Sequence, residues 1–518
     1  MSRLTIPDVQ ALRLASQDPS SLTSYKQYDA FKSSHSLSKA KSLSLKHHFS
    51  IESRNFSGAS LKKLATPCND SPRIPLGTGR PNVEFFPWNR ISAQGQTPIE
   101  PCIGTEANEP VSQTASRYGG AYNLSNVLDY GHAAGAPQLL RFVTEHVEII
   151  HNPPYSDWGT CLSSGSTSAL EIALRIFCNR GDTVLAEQHT YPGFIEVANL
   201  VGVKVKSVDM DEDGISAQSL EMILRNQDKS DNTKLSVLYT IPSGQNPTGI
   251  SQTLERKQEI YKLAEKYDLV IIEDDPYYFL HLGPHGAGGV EETSGMEFGK
   301  STTKFWKDLV PSYVSLDRSG RVVRLDSTSK ILAPGLRAGW ITANDSIIDK
   351  FLSYHEVCTA SVSGPAQLML FQLLDQSWGH EGFLTWLGNL SRRYRKRRDI
   401  VLRACDTYLP QDICSWTIPT YGMFLWVKVD LSKHPVFAAH ATDTQCAEHL
   451  QLQRRAIEKK ITDGALKNGV QVANGALFEV SKKFEWEIYF RLTFVAAVES
   501  TLETGVQEFA QAIIAEFK

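Results

Sequence analysis

The 518-residue chain has no CxxC pair; its 8 cysteines, Cys68, Cys102, Cys161, Cys178, Cys358, Cys405, Cys414 and Cys446, are scattered. That spacing offers neither a zinc ribbon nor a disulfide framework, and it suits a reducing compartment. No continuous apolar segment reaches membrane-spanning length, and the start lacks the apolar core of a signal peptide. A surplus of one charge is also missing. With a formal net charge of -4 and a pI near 6.4, nothing predicts binding to nucleic acid or to an anionic membrane. Residues 1–70 show no helix-turn-helix pattern with a basic recognition helix, and the basic run Arg392–Arg398 reads as a solvated helix face. A cytoplasmic protein is expected.

What remains is an ordinary globular composition, 41% hydrophobic and 21% charged, long enough for two domains. The Ser- and Lys-rich stretch from Ser20 to Ser60 reads as a mobile N-terminal arm. Asp8, Asp18 and Asp29 in the N-terminal region do not suit a transit peptide. Regular patterning begins after about Pro110. "DYGHAAGAPQLLRFVTEHVEII" predicts a turn and an amphipathic helix with Leu139, Leu140, Val143 and Val147 on one side. "WGTCLSSGSTSALEIALRIFC" follows as strand, Gly/Ser turn and helix, and "DTVLAEQHTYPG", "KLSVLYTIPSGQNPTG", "LVIIEDDPYYF" and "GRVVRLDSTSK" read as further strands. Strands alternating with helices predict an α/β fold with a mostly parallel sheet. The Gly-rich 281–303 stretch reads as a surface loop insertion. After Trp378 come a long charged helix and the strands "MFLWVKVD" and "WEIYFRLTFV", the pattern of a smaller α+β domain. The expected organisation is an arm at 1–75, a large domain at 76–378 and a small one at 379–518.

Ligands of open parallel sheets sit at the carboxyl ends of the strands. Those ends carry Ser166 and Thr167, Tyr191, Asn246, Asp274 and Tyr277, and Ser327, Ser329 and Lys330, with Arg337 shortly after. Singly, each has a bland reading as a cap, a turn or a surface charge. Together they offer hydroxyls and a helix N-terminus for a phosphate, a carboxylate for a cationic ring nitrogen, an aromatic face and an amine nucleophile. A phosphorylated pyridine aldehyde would use every one.

The segments "SGSTSALE", "IPSGQNPTG", "EDDPYY", "DSTSKILAPGLRAGW" and "YFRLTF" closely resemble the fold-type-I, pyridoxal-phosphate-dependent aminotransferases of class I/II. Within them, the chain is most similar to the fungal aromatic amino acid and kynurenine/2-aminoadipate aminotransferases. The resemblance implies that Lys330 carries the cofactor as an imine and acts as general base. Asp274 is implied to pair with the pyridine nitrogen, and Asn246 and Tyr277 to hold the ring 3-oxygen. Tyr191 would stack on the ring, and Ser166, Thr167, Ser327, Ser329 and Arg337 would surround the phosphate. Tyr130 matches a tyrosine that reaches the phosphate of a neighbouring subunit, so a homodimer with shared active sites is expected. Arg491 matches the arginine that grips the substrate α-carboxylate. "LGTGRPNVEFFPW" resembles a loop over the substrate, where Gly79 and Arg80 would line the side-chain pocket.

The expected reaction is ping-pong transfer of an amino group from Phe, Tyr or Trp to 2-oxoglutarate. Alternatives are 2-aminoadipate or kynurenine as donor, an elimination or decarboxylation on the same fold, or a transcription regulator built on it.

Overall fold

The computed structural model describes residues 4–16, 19, 29–60, 74, 76–77, 79–98, 111–227, 235–285, 305–438, 447–481 and 485–518. Its centre is a seven-stranded sheet in the order Trp158–Ser163, Gly339–Asn344, Val322–Ser327, Val270–Asp274, Val237–Thr240, Thr183–Glu187 and Lys204–Val208. Six strands run in one direction. Only Gly339–Asn344 opposes its neighbours. The expected mostly parallel α/β fold is therefore the one observed.

Strand periodicity explains how this sheet is covered on both sides. Val184, Ala186, Val237, Tyr239, Val270, Ile272, Val323 and Leu325 face one core, which also holds the helices Pro137–Ile150 and Ser166–Phe177. The alternate residues Leu185, Leu238, Ile271 and Val322 face another, with Leu220, Ile260 and Tyr313. A four-stranded antiparallel sheet, ordered Cys414–Trp416, Phe424–Asp430, Glu487–Thr493 and Ala473–Asn474, builds a further core with Ile457, Phe509 and Ile513. The long helix Gly379–Tyr408 serves two of these cores. Phe383, Leu384 and Leu387 pack in the first, and Val401, Leu402 and Cys405 beside the small sheet.

Three local expectations change. The helix Pro137–Ile150 is not amphipathic in its setting, because Glu145, His146 and Glu148 are as buried as its leucines. The N-terminal arm is the reason. Arg13, on the helix Ile6–Ala15, donates to Glu145 and Asp375, with Nη2 2.5 and 2.6 Å from their oxygens. The Ser33 amide donates to Glu148 Oε2 at 3.0 Å, and Lys32 Nζ lies 4.9 Å above the Trp158 ring. Buried carboxylates need such partners, and Phe31 and Phe49 enter the main core beside them. Residues 29–60 are thus docked rather than loose. The run Arg392–Arg398 is likewise more than a solvated face. Arg398 is 1% exposed and donates to the carbonyls of Gly283 and Pro419 at 2.6 and 2.9 Å, while Arg397 Nε donates to that of Phe494 at 2.7 Å. At the insertion, the Leu282 amide donates to the Thr420 carbonyl at 2.7 Å and its side chain is buried. The remainder, 286–303, lies outside the described residues. No described helix is long and apolar enough to cross a membrane.

Candidate active site

Parallel strands bring their carboxyl ends to one edge, and the residues singled out in the sequence follow those ends. Val270–Asp274 shows how sharply the pleat sorts them. Glu273 and Asp275 point to the side where Arg324 lies, with Nη1 3.0 and 3.1 Å from their carboxylates. Asp274 points the other way and has no cation pairing with it among the described residues. Its Oδ2 accepts a hydrogen bond from Tyr239 Oη at 2.8 Å, and its buried Oδ1 has no partner among the described residues. Burial foremost, then the charges of Asp275 and Asp326, push its pKa up to about 7 against the opposing Tyr239 hydrogen bond. A buried carboxylate with one unsatisfied oxygen is what a protonated ring nitrogen requires.

Lys330 is half-buried just past the strand Val322–Ser327. Its pKa is lowered by burial, then by Arg491 and then by Arg337, against the pull of Asp274. Of the two cations, Arg491, on the other sheet, contributes more than Arg337. Arg491 Nη1 donates to Asn246 Oδ1 at 2.8 Å, and its guanidinium lies 4.4 Å from the Phe424 ring centre and 4.9 Å from that of Phe478. Cross-strand pairing sets Arg491 opposite Trp426, which fixes its register. Tyr277 packs edge-on against Phe424 at 5.5 Å, and its phenol is kept neutral chiefly by burial and then by Asp274. Tyr191 precedes the helix Pro192–Val201 and folds back over Gly193, where a Cβ would lie 2.5 Å from the ring.

At the other end of the site, the helix Ser166–Phe177 begins after Gly165 with no side-chain cap, leaving the first amides at Ser166 and Thr167 open. Gly165 has φ 86°, and a Cβ there would lie 2.5 Å from Arg337 Nη2. Arg337 donates from Nη2 to the Ser164 carbonyl and from Nη1 to Ser329 Oγ, both at 3.4 Å. Ser327 Oγ accepts from the Ser329 amide at 3.2 Å. Open amides, hydroxyls and an exposed guanidinium around a glycine that admits no side chain make an anion cradle. These features fit pyridoxal phosphate along its whole length.

The structure thus gathers Lys330, Asp274, Asn246, Tyr277, Tyr191 and Arg491 around one space and sets Ser166, Thr167, Ser327, Ser329 and Arg337 at its end. Two further residues are exposed in the single chain. Tyr130 is 59% exposed, and Gly79 is exposed with nothing within 4 Å of a Cβ placed on it. Sequence reasoning missed Tyr239, although the pattern "VLYT" puts it on the same face of the sheet as Asp274, on the adjacent strand. It also missed the aromatic walls of Arg491.

Comparison with known proteins agrees with this geometry. The profile of the family "Aminotransferase class I and II" matches residues 103–512. The chain belongs to that family. It is therefore a pyridoxal-phosphate-dependent aminotransferase. The aminotransferase swnA of Arthroderma benhamiae is 43% identical over 473 residues, covering 91% of this chain and 92% of that one. An aromatic amino acid aminotransferase of Schizosaccharomyces pombe, C569.07, is 37% identical over 471 residues, covering 90% and 97%. Among solved structures, the aminotransferase Aro8 of Candida albicans superposes with a TM-score of 0.83 at 35% identity, covering 92% of this chain and all of that one.

Proposed function

We propose that the protein transfers the amino group of an aromatic amino acid, Phe, Tyr or Trp, to 2-oxoglutarate by ping-pong kinetics. The donor class is supported by the aromatic amino acid aminotransferase of S. pombe, which matches nearly end to end. The observation that carries the amino acid reading is Arg491, a guanidinium held between two aromatic rings and beside the lysine whose proton it disfavours.

Bound pyridoxal phosphate supplies a carbonyl that takes and returns the amino group and a ring that withdraws electrons. The rest falls to the protein. Arg491 presents a planar fork to the substrate α-carboxylate, with its other side anchored on Asn246. Lys330 Nζ, its pKa lowered, would move the proton from the substrate Cα to the cofactor carbon that bears the amino group, and the second half would run that transfer in reverse. Asp274 would keep the ring nitrogen protonated, Asn246 and Tyr277 would hold the ring 3-oxygen, and Tyr191 would cover the ring. Ser166, Thr167, Ser327, Ser329 and Arg337 hold the phosphate. Gly79 and Arg80 line the side-chain pocket, Arg80 being held 3.7 Å from Asp129.

The active unit in this reading is a homodimer. Leu76, Phe85, Trp88, Tyr118 and Tyr130 are large apolar or aromatic side chains left exposed in one chain, as a face awaiting a second copy would be. Tyr130 then reaches the partner's phosphate. The proposed division into a large unit, 76–378, and a small one, 379–518, is supported by the core of the small sheet, which draws on the second range apart from Leu282.

A bovine kynurenine/alpha-aminoadipate aminotransferase, 34% identical over 454 residues, keeps those donors as the second reading. A panel of amino donors with 2-oxoglutarate, read by glutamate formation, separates them. Fastest turnover with Phe, Tyr or Trp is expected; preference for 2-aminoadipate or kynurenine overturns the first reading in favour of the second.

A further inference from the structure

We propose that Tyr239 is a positioning residue for the aminotransferase reaction: its phenol clamps one oxygen of Asp274 so that the other faces the protonated ring nitrogen. The proposal rests on the reading of Asp274 as that nitrogen's partner and adds the residue on which its alignment depends.

The geometry begins with the sheet. Tyr239 lies opposite Ile272 in the pairing of Val237–Thr240 with Val270–Asp274, so its side chain shares a face with Asp274, two residues further along. Its Oη donates to Oδ2 at 2.8 Å. The ring is stacked on Phe194, with centres 3.8 Å apart and planes 5° apart, and the residue is fully buried. A phenol held by its strand on one side and a parallel ring on the other has no freedom to swing away, and no water reaches it. The donor is as fixed as a backbone amide.

Other groups around Asp274 do not substitute for it. Asp275 and Asp326 favour the protonated acid, and Arg324, committed to those two and to Glu273, opposes them more weakly than Tyr239 does. Tyr277 and Lys330 interact electrostatically with Asp274, and Glu187 with Tyr239. Tyr239 itself is held neutral by burial and then by Asp274, so its hydroxyl keeps the proton that it donates to the carboxylate. Without that donor, Asp274 keeps its proton to higher pH and its carboxyl is free to turn. A neutral acid neither pairs with a pyridinium nor keeps it protonated.

The test compares the holoenzyme with Tyr239→Phe and Asp274→Asn. In Tyr239→Phe, kcat should fall about tenfold with KM little changed, and the acid limb of kcat should move up by about one pH unit, the low end for a hydrogen bond to a charge. Bound cofactor should be lost on dialysis about tenfold more readily. Asp274→Asn should lose turnover and retention outright. If Asp274→Asn behaves so while Tyr239→Phe keeps the wild-type limb and retention, Tyr239 is only a core residue and the proposal falls. If Asp274→Asn keeps full turnover and retention, the reading of Asp274 falls instead. Should Tyr239→Phe not accumulate folded, Phe194→Leu loosens the same clamp. Its acid limb should rise by about half a unit, and an unmoved limb overturns the proposal.

Discussion

Asp274→Asn should stabilise the cofactor-free protein while destroying its use of the cofactor. Burial pushes the Asp274 carboxyl up to about 7 in the fold, against 3.8 for an ordinary aspartate. A carboxyl with a raised folded pKa destabilises the fold once the unfolded chain ionises. The penalty starts near pH 4, grows as pH rises and is complete above about pH 7. At 1.36 kcal/mol per unit, it reaches about 4 kcal/mol at about pH 8 and about 2 kcal/mol at about pH 5. Asparagine has the same shape and no charge, and it still accepts from Tyr239. Its amide, lodged where Oδ1 has no partner, costs about 1–3 kcal/mol at every pH. The amide cost cancels when two pH values are compared. Urea unfolding of both cofactor-free proteins should therefore show the variant's advantage narrowing by about 2–3 kcal/mol between about pH 8 and about pH 5. A stability difference that ignores pH, or that widens towards acid, would refute the reasoning that Asp274 is strained by burial.

Lys330→Ala should abolish turnover and the borohydride-fixed cofactor label while leaving the melting temperature of the cofactor-free protein within a few degrees; appreciable turnover would remove Lys330 from the centre. Arg491→Ala should lower kcat/KM for α-amino acids by about a hundredfold, chiefly through KM, as loss of a bidentate charged contact requires; unchanged specificity constants would place the substrate carboxylate elsewhere. Gly165→Ala puts a methyl 2.5 Å from Arg337 Nη2 at φ 86°. It should weaken phosphate-dependent cofactor binding at least tenfold and cost about 1–2 kcal/mol of stability, checked by equilibrium dialysis and urea unfolding.

Much of the site was legible because strand ends punctuate the sequence. The apolar runs that end in "SSGSTS", "IPSGQNPTG", "EDDPYY" and "DSTSK" each deliver a chemical group, and a parallel sheet has to bring such ends to one edge. The environment of those groups was harder to read. "EDD" offers three adjacent acids, and only the pleat separates the two that meet Arg324 from the one that meets Tyr239. Arg392–Arg398 resembled a solvated face because composition cannot reveal that the carbonyls of Gly283 and Pro419 wait beside Arg398. The arm residues looked loose because their partners, Glu145 and Glu148, lie more than a hundred residues away.

The order of residues alone determined the alternation of strands and helices, the parallel sheet and the list of groups at its edge, since backbone periodicity and turn chemistry act within a few residues. Tertiary structure decided which of these groups is strained, paired or free. It set Arg491 as the main charge acting on Lys330, Phe194 behind Tyr239 and the N-terminal arm against the central helix. Burial and long-range charge depend on what the rest of the chain packs around each group, and that is fixed only when distant segments meet.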